Sequence, residues 1–412
     1  MTKVKITNVR TAVVEANFDW TLVRVETDFG LTGLGEAFFA PGLTATIHSL
    51  GEFLKGKDPL QVEPLVRNMF AAASAAGGAG QVFHAVTGIE TALWDILGQH
   101  LGAPLWKLWG GKYRDKVRIY ADCHGGDALE SLDALLQPRH PDWDQSHSQW
   151  NPSAGSHSER ILEEYSPKAY ADKAQRMAEQ GFTILKFDLD VPNPYTVDGY
   201  NRSLGRQEIE YLAGLMAAVR EAVGPKVELA ADCHWKFAPD DSIHLAEALQ
   251  PYRLLWLEDP IPPDNMDALK FVRDHSPVPI LSGENLYGRQ GFRQMIEQQA
   301  VAIVAPDLQK VGGLSEGLRI AELADLYYMP IAPHNISSPV GTLASVHACA
   351  CMPNFLALEW HASEVPFWGE MLTEGSLIKN GSIEVPNRPG LGATLNEEVV
   401  RRYAKSGEPV FA

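Results

Sequence analysis

Three carboxylates recur at an even spacing along the chain, and each ends or follows a short apolar run. Asp232 ends VELAAD, Glu258 ends LLWLE and Glu284 follows PILSG, and neighbouring members of this set lie 26 residues apart. A strand, a loop, a helix and a second loop fit this interval, so three successive βα units would present the carboxylates at one strand end. Three oxygen ligands at one apolar site suit Mg²⁺, which binds few carboxylates and leaves positions for a substrate. We therefore predict one Mg²⁺ per chain at these residues.

A carboxylate and an imidazole further along the chain have the arrangement of an acid–base pair. Asp307 lies in the strand-like run AIVAPDL, and His334 lies in the next such run, MPIAPHN. If the two strands are neighbours, the carboxylate can hold one ring nitrogen and leave the other as a base near neutral pH. Beside a Mg²⁺ site, such a base can remove a C–H proton next to a substrate carboxylate, and the metal would stabilise the enediolate that forms.

Two further pairs of polar residues stand at predicted strand ends. Side chains two residues apart on a strand face the same way, which pairs Lys186 with Asp188 and Asp232 with His234. Lys186 is a candidate electrostatic contact or an alternative base, and Asp188 is a candidate substrate contact whose role is open.

The elements that must position these residues alternate between strand and helix from about Val117 onward. Helical patterns such as 170–180, 211–223 and 316–328 separate the apolar runs. Eight strands joined in this way predict a parallel α/β barrel rather than an open sheet, with the chemistry at the carboxyl ends of the strands. The predicted strands cover residues 117–123, 183–190, 227–233, 254–260, 279–285, 302–308, 329–335 and 354–361.

The segments outside the barrel have other patterns. Residues 1–35 alternate like two or three strands and residues 42–110 have helical spacing, which predicts an α+β unit. Two insertions, 138–160 and 191–206, follow the first and second barrel strands and therefore emerge on the catalytic face. The first insertion is polar and rich in Pro, Ser and His, and it is either a plain loop or a lid over the barrel mouth.

Composition excludes several classes of partner. The chain is 45% hydrophobic and 21% charged, as in an ordinary globular protein, and its net charge of −17 argues against binding nucleic acid or an anionic membrane. The four cysteines lie in apolar segments without a paired framework, which indicates reduced thiols. The N-terminus alternates like a strand and lacks the apolar core of a signal peptide. We expect a cytoplasmic protein that acts on a small molecule.

The ordered motifs resemble those of the enolase superfamily, specifically its mandelate racemase type, over essentially the whole chain. In that family, residues matching Asp307 and His334 form the base dyad, and the residue matching Glu359 hydrogen-bonds the substrate. Those matching the three evenly spaced carboxylates bind Mg²⁺. The motifs that carry the resemblance are ADCHW (231–235), LEDP (257–260), SGEN (282–285), APDLQKVGGLSE (305–316), APHN (332–335) and LEWH (358–361).

The resemblance also implies an architecture. It implies a modified TIM barrel, (β/α)₇β, covered by an α+β capping domain, and a homo-oligomeric assembly. We expect the capping domain in residues 1–116, the barrel in 117–365, and a C-terminal segment, 366–412, that returns to the capping domain.

Two departures from the racemase pattern favour a dehydratase. The family's Lys-x-Lys on the second strand is Lys186-Phe-Asp188 here, so the second lysine, a base on one face of the substrate, is missing. The Asp-x-Asn on the third strand is Asp232-Cys-His234 here, which resembles the acid-sugar dehydratases, where the matching histidine is the general acid for the 3-hydroxyl. The hypothesis is that His334 removes the C2 proton and His234 protonates the leaving hydroxyl, giving a 2-keto-3-deoxy sugar acid.

Substrate identity follows less directly from these residues. The resemblance puts specificity in capping-domain loops, here NFDW (17–20) and FFAPG (38–42), which contain no Arg or Lys to hold a second carboxylate. This favours an aldonate, such as gluconate, galactonate or a pentonate, over an aldarate. The further candidate substrate contacts are Asn17, Trp20, His124 and Trp360.

Two alternatives remain open at this point. A sugar-acid epimerase, racemase or cycloisomerase would use the same enolate with a different fate. A catalytically silent protein that binds acid sugars is the third reading, and it is disfavoured because the metal ligands, the dyad and the acid are all present.

Overall fold

Of the 412 residues, the computed structural model describes 4–125, 141, 143, 163–196, 201–362 and 365–412. The N-terminal part is an antiparallel sheet in the order β1–β2–β3, followed by helices that pack on it. Its elements are β1 (Ile6–Glu15), β2 (Asp19–Thr27), β3 (Thr32–Ala37), α1 (Leu43–Leu54), α2 (Val62–Ala72), α3 (Gln81–Leu101) and α4 (Leu105–Leu108). The strands predicted for residues 1–35 and the helices predicted for residues 42–110 are therefore confirmed.

The long helix α3 lies very close to strand β3. A Cβ on Gly35 would lie 2.1 Å from the carbonyl oxygen of Gly88 on α3, so both strand and helix need small residues at this contact. Val23, Val25 and Ile89 are fully buried between the sheet and the helices. The alternating pattern of the first strands thus builds a core of its own for the N-terminal part.

The central part is a closed parallel barrel. Its strands are β4 (Lys116–Cys123), β5 (Ile184–Asp188), β6 (Glu228–Asp232), β7 (Leu257–Glu258), β8 (Ile280–Ser282), β9 (Ile303–Val304) and β10 (Leu358–His361). They pair in parallel in chain order from β4 to β9, and β10 pairs with β4. Single bridges from Ile331 to Val304 and to Phe355 close the gap between β9 and β10.

The predicted strand over residues 329–335 is reduced to the one bridge at Ile331. Pro330 and Pro333 flank this residue, and proline has no N–H to donate to a neighbouring strand. The remaining barrel strands occur where they were predicted but are mostly shorter.

A helix follows each barrel position except the last, which matches the (β/α)₇β pattern. These helices are α5 (Pro167–Glu179), α6 (Arg206–Val223), α7 (Pro239–Leu249), α8 (Met266–His275), α9 (Gly288–Glu297), α10 (Leu314–Asp325) and α11 (Pro339–Cys351). Helix α11 is buried over nearly its whole length, so its His347 and Cys349 are core residues. No helix in the described ranges is long and apolar enough to cross a membrane.

The C-terminal segment contacts both the barrel and the N-terminal part. Its elements are β11 (Ile378–Lys379), β12 (Ser382–Glu384) and α12 (Glu397–Arg402). Strand β12 pairs antiparallel with β4, and the amide of Lys405 donates to the carbonyl of Val13 at 2.8 Å. Arg24 and Glu397 form an ion pair at 2.7 Å between β2 and α12.

The first insertion lies largely outside the described residues, and the second lies outside them at four positions. Of residues 138–160, only 141 and 143 are described, so the predicted lid lies outside the described residues. The indole nitrogen of Trp143 donates to the carbonyl of Glu15 at 2.8 Å. Residues 197–200 of the second insertion are likewise outside the described ranges.

Buried carboxylates of the N-terminal part hold helix N-termini of the barrel. Glu36 accepts from the amides of Ser338 at 2.9 Å and Gly341 at 2.8 Å, at the start of α11. Glu90 accepts from the amides of Leu314 at 2.9 Å and Ser315 at 3.1 Å, at the start of α10. These side chains satisfy backbone donors that a helix cannot satisfy itself, and their charge is favourable at that end.

The close fit at Glu90 also explains a glycine. Gly313 has a φ of 121° in the region that favours glycine, and a Cβ there would lie 2.7 Å from Cδ of Glu90. The loop before α10 and the glutamate on α3 therefore fit each other only without a side chain at this position.

The variant Glu90→Ala should lower the free energy of unfolding by about 2–4 kcal/mol, because two buried amides at a helix N-terminus lose their acceptor. Urea denaturation of the whole chain measures this change. The matched control is Glu63→Ala, which removes a half-exposed ion pair with Arg319 and should cost about 1 kcal/mol or less. Equal losses in the two variants would contradict a special role for Glu90 in joining the two parts.

Candidate active site

The three evenly spaced carboxylates converge at the carboxyl ends of the barrel strands. Asp232 ends β6 and lies in register with Glu258, which ends β7. Glu284 follows β8 by two residues. Each offers an oxygen within 4.8 Å of the other two, and all three side chains are buried. The structure therefore brings together the set that the 26-residue spacing predicted.

The chemistry of this donor set fits a hard divalent cation. Oε1 of Glu258 is buried and has no hydrogen-bond partner among the described residues. Burial raises the pKa of Glu258 well above its usual range, and the neighbouring carboxylates Asp232, Glu359 and Glu284 add to the rise. Buried carboxylates held this close repel each other unless a cation lies between them. A cation such as Mg²⁺ would supply that charge and use the unpartnered oxygen.

Lys186 is fully buried beside these carboxylates. Its ammonium lies 2.6 Å from Asp232, 2.6 Å from Glu359, 3.2 Å from Glu258 and 3.7 Å from Asp122. These carboxylates keep the pKa of Lys186 well above its usual value although burial opposes the charge. Its charged ammonium could contact the carboxylate of a substrate, which is one of the two roles that the sequence leaves open.

Asp307 and His334 form the predicted dyad. Nδ1 of His334 lies 2.7 Å from Oδ2 of Asp307, and the other nitrogen, Nε2, lies 3.4 Å from Glu284 and 3.9 Å from Glu359. Burial disfavours a charged imidazole, but Glu284, Glu359 and Asp307 outweigh it and raise the pKa of His334 to about 9. The dyad thus directs Nε2 toward the carboxylate cluster.

A second carboxylate orients His234. Nδ1 of His234 lies 3.0 Å from Oδ1 of Asp190, and Nε2 lies 4.0 Å from Asp232. The side chain is 38% exposed, and its backbone has a φ of 38° in the left-handed region. Such strain is typical of residues whose position serves a site. Burial opposes the charge, yet Asp232, Asp190 and Asp188 raise the pKa of His234 well above its usual value.

Asp190 was not among the predicted site residues. The run TILKFDLD was read as one strand, whereas β5 ends at Asp188, so the direction of the Asp190 side chain could not be read from alternation. A signal did exist, because acidic residues at strand ends were the criterion that identified the metal ligands.

Asp188 lies in register with Asp232 on the neighbouring strand and is part of a chain of polar contacts. Its Oδ2 lies 2.9 Å from Nδ1 of His124, whose Nε2 lies 2.6 Å from Nε2 of His361. Nδ1 of His361 in turn lies 2.5 Å from the side-chain amide nitrogen, Nδ2, of Asn17, which is on the loop between β1 and β2. The predicted contacts Asn17 and His124 therefore reach the mouth together, with His361 as a residue that the sequence reasoning missed.

Glu359 also lies where it was predicted. Its Oε2 accepts from the amide of Asn335 at 2.9 Å, and its other oxygen contacts Lys186. The alternation of side chains along a strand could have identified His361, because His361 lies two residues beyond Glu359 on β10 and therefore faces the same way.

The two predicted tryptophan contacts are corrected. Trp360 lies between Glu359 and His361 on β10, so its side chain faces away from the mouth and stacks on Phe182 at 5.5 Å. Trp20 is 2% exposed and packs against Phe367 in the large hydrophobic core. Both rings are held by apolar packing, so the prediction that they contact the substrate was wrong.

Family models match most of the chain. A model described as the mandelate racemase / muconate lactonizing enzyme N-terminal domain matches residues 2–110, and one described as enolase C-terminal domain-like matches residues 169–399. The first lies on the N-terminal sheet and helices. The second includes the metal-binding candidates, the dyad and His234.

Similar proteins cover the chain from end to end. A D-xylonate dehydratase of Haloferax volcanii is 41% identical over 409 residues, which cover 99% of this chain and 90% of the relative. A D-galactarolactone cycloisomerase of Agrobacterium fabrum is 29% identical over 425 residues, covering 97% of this chain and 98% of the relative. The crystal structure of a mandelate racemase/muconate lactonizing enzyme-like protein from Rubrobacter xylanophilus has a TM-score of 0.89 at 40% identity, with both chains fully covered.

These matches confirm the predicted fold, a modified (β/α)₇β barrel with an N-terminal capping domain. They also confirm the resemblance that the ordered motifs indicated. The chain belongs to the enolase superfamily, in its mandelate racemase/muconate lactonizing enzyme group.

Proposed function

We propose that this chain is a Mg²⁺-dependent hydro-lyase that dehydrates an aldonic acid to a 2-keto-3-deoxy acid. The observation that carries the proposal is the pair of imidazoles at the mouth, each held through Nδ1 by its own carboxylate. His334 with Asp307 offers a base next to the metal-binding candidates, and His234 with Asp190 offers an acid. Elimination of water needs one base and one acid, and this set contains both.

The residues have separate tasks in the proposed reaction. Asp232, Glu258 and Glu284 would hold Mg²⁺, which when bound supplies positive charge to the carboxylate of the substrate. Lys186, which already contacts Glu359 and Asp232, adds a second positive charge on that side. Glu359 would accept a hydrogen bond from the substrate.

The bonds change in a simple order. Nε2 of His334 takes the C2 proton, and Asp307 stabilises the imidazolium through Nδ1. The electron pair of the C2–H bond then forms a C2–C3 double bond as the C3–O bond breaks, and His234 donates the proton that turns the leaving hydroxyl into water. The resulting enol takes up a proton at C3 and becomes the 2-keto-3-deoxy acid.

Asp188 explains why racemisation is not our first choice. A racemase needs an acid–base group on each face of the substrate, and the lysine that would serve one face is replaced by a carboxylate. That carboxylate is buried and bound to His124. The relative named as a cycloisomerase keeps the alternative open, because that reaction uses the same proton abstraction.

A five-carbon aldonate is the preferred substrate class. The relative with 41% identity acts, by its name, on D-xylonate. The capping-domain loops offer Asn17 and stacked aromatic rings, with Phe18 and Phe39 at 4.9 Å. These two loops contain no Arg or Lys to hold a second carboxylate, which favours an aldonate with one carboxylate. Lys310, a buried cation beside the second loop, donates to Asn285 at 3.1 Å and lies 4.1 Å from the ring of Phe38.

The purified chain with Mg²⁺ should convert D-xylonate, or another aldonate in a panel of aldonates and aldarates, to a 2-keto-3-deoxy acid with uptake of solvent deuterium at C3.

The variant His334→Asn should lower kcat by about 10²–10⁴-fold or more, because the base is lost. Mass spectrometry of the product in D₂O measures both effects. Deuterium exchange at C2 without elimination across the panel would instead support an epimerase. Near-normal turnover by His334→Asn together with loss of activity in Lys186→Ala would show that the base assignment is wrong.

The variant His234→Asn should slow elimination by about 10²–10⁴-fold and still allow exchange of the C2 hydrogen with D₂O, since His334 is intact. Asp190→Asn should slow elimination by roughly 10- to 100-fold, because a mispositioned imidazole transfers its proton poorly, again with exchange retained. The charge-matched control is Asp240→Asn, an exposed residue at the start of α7. If exchange fell in parallel with elimination in both site variants, the acid role of His234 would have to be abandoned.

Removal of the metal should be visible in stability as well as in activity. Chelation should abolish turnover, and Mg²⁺ at about 100 times its Kd should raise the free energy of unfolding by about 2.7 kcal/mol. Differential scanning calorimetry of the whole chain with and without Mg²⁺ measures the shift. Asp232→Asn should remove it, whereas Asp264→Asn, at an exposed position, should retain it. An unchanged shift in Asp232→Asn would exclude Asp232 as a ligand.

A further inference from the structure

A histidine of the capping domain joins two loops that border the base dyad. His84 lies on α3 and is buried. Its Nδ1 lies 3.0 Å from the backbone carbonyl of Phe38, in the capping-domain loop 38–42, and its Nε2 lies 3.2 Å from the hydroxyl of Tyr287. Tyr287 immediately precedes α9 and lies in the loop that contains Glu284, one of the metal-binding candidates. We call His84 with these two partners, Phe38 and Tyr287, the His84 bridge.

The contacts of the bridge determine which nitrogen of His84 carries the proton. A carbonyl oxygen only accepts hydrogen bonds, so Nδ1 of His84 must donate to Phe38. The ring is neutral, because burial and the nearby Lys310 lower the pKa of His84 to about 4. Nε2 therefore accepts, and the hydroxyl of Tyr287 donates to it. The rings of His84 and Tyr287 also stack, with centroids 5.7 Å apart, which fixes the imidazole in one orientation.

The barrel holds Phe38 from its other side. The amide of Phe38 donates to the carbonyl of Gln309 at 3.2 Å. The amide of Gln309 in turn donates at 2.7 Å to Oδ1 of Asp307, the carboxylate of the dyad. The ammonium of Lys310 lies 4.1 Å from the centroid of the Phe38 ring, a favourable cation–π distance. Phe38 is consequently attached through its amide to the residue that supports Asp307, and through its carbonyl to His84.

The ring of Phe38 lies beside the proposed base. Its centroid is 6.1 Å from that of His334, whose side chain is only 7% exposed. Loss of the hydrogen bond from His84 would leave the Phe38 carbonyl without this donor and would allow the loop to move away from the base. Water could then enter beside His334. A displacement of about 1 Å near reacting groups can lower a rate by about 100-fold.

We propose that His84 is a positioning residue for the reaction at His334. Through Nδ1 it holds Phe38 against the base, and through Nε2 it couples this loop of the cap to the barrel loop that contains Glu284. It is not a catalytic residue, because it acts through Phe38. The expected effect on the rate rests on the proposed dehydratase activity, whereas the expected position of the loop does not.

Asparagine and glutamine separate the two halves of the bridge, because they have the same amide group at two distances from the main chain. In His84→Asn, the amide nitrogen can replace Nδ1 and donate to Phe38. In His84→Gln, the amide oxygen can replace Nε2 and accept from Tyr287, but the Phe38 carbonyl loses its donor. His84→Leu removes both hydrogen bonds, and Tyr287→Phe removes only the hydroxyl.

Amide hydrogen–deuterium exchange of the whole chain, followed by mass spectrometry, measures the stability of the loop without any substrate. His84→Gln and His84→Leu should speed exchange of the amides of residues 38–43 by about 10-fold or more, because Phe38 is no longer held at its carbonyl. His84→Asn and Tyr287→Phe should exchange like the unchanged chain in this loop. Peptides from α11 should exchange alike in all variants, and thermal unfolding identifies any variant that fails to fold.

Turnover of the aldonate that the unchanged chain dehydrates gives the second measurement. His84→Gln and His84→Leu should lower kcat by about 10- to 100-fold, and His84→Asn should keep kcat within about 3-fold of the unchanged chain. KM should change less than kcat, because the metal-binding candidates and Lys186 remain in place. The control is His48→Gln, which alters a half-buried histidine of α1 whose Nε2 lies 3.0 Å from the hydroxyl of Thr11 within the cap. It should leave loop exchange and kcat unchanged.

The comparison of the two amide variants decides the proposal. Equal loop exchange in folded His84→Asn and His84→Gln overturns it, and so does an equal fall of kcat in both. If His84→Gln fails to fold, His84→Leu takes its place, and unchanged loop exchange in that variant likewise overturns the proposal. If the unchanged chain dehydrates no aldonate, the proposed function fails, and the exchange measurement alone decides whether His84 positions the loop.

Discussion

The confinement of many carboxylates in one buried place is the constraint on which the rest of the structure depends. At the mouth of the barrel, Asp232, Glu258, Glu284 and Glu359 are all buried, and Lys186 contacts three of them. Like charges at such distances in a medium of low polarity repel strongly. The barrel fixes their positions, because Asp232 and Glu258 end strands, Glu359 lies within β10 and Glu284 follows β8 by two residues. A divalent cation between them would relieve this repulsion.

One local arrangement, an imidazole beside a carboxylate, recurs around this cluster. Nδ1 of His334, of His234 and of His124 each lies close to a carboxylate oxygen, at 2.7, 3.0 and 2.9 Å. The three histidines differ in what surrounds their other ring nitrogen, Nε2. Nε2 of His334 faces the metal-binding candidates, and Nε2 of His124 faces another imidazole. The ring of His234 is 38% exposed. The same carboxylate–imidazole pair thus occurs in three different surroundings at the mouth, and two of them suit the proposed base and acid.

The sequence predicts the part of the site that depends on strand ends. Asp232, Glu258 and Glu284 could be predicted because the strands of a parallel barrel end at the same face. Residues at equal intervals in the chain therefore fall at the same level of successive strands. Asp190 and His361 carried such signals too, but their contacts could not be predicted, because these depend on where a strand stops and which strands meet when the barrel closes. Asp122 and His361 are 239 positions apart in the chain and become neighbours only through the pairing of β4 with β10. Trp360 was mispredicted although the alternation that positions Glu359 also excludes its neighbour.

The capping domain takes part in the site through electrostatics as well as shape. Glu36 and Glu90 bind the N-termini of α11 and α10, so the cap is fixed to the barrel by buried hydrogen bonds and not only by apolar packing. The loop between β1 and β2 then has a defined position, and Asn17, 2% exposed, reaches His361. Its side-chain amide contacts His361, which contacts His124, which in turn lies beside Asp188. A residue of the cap is therefore linked to a group on the second barrel strand without touching it.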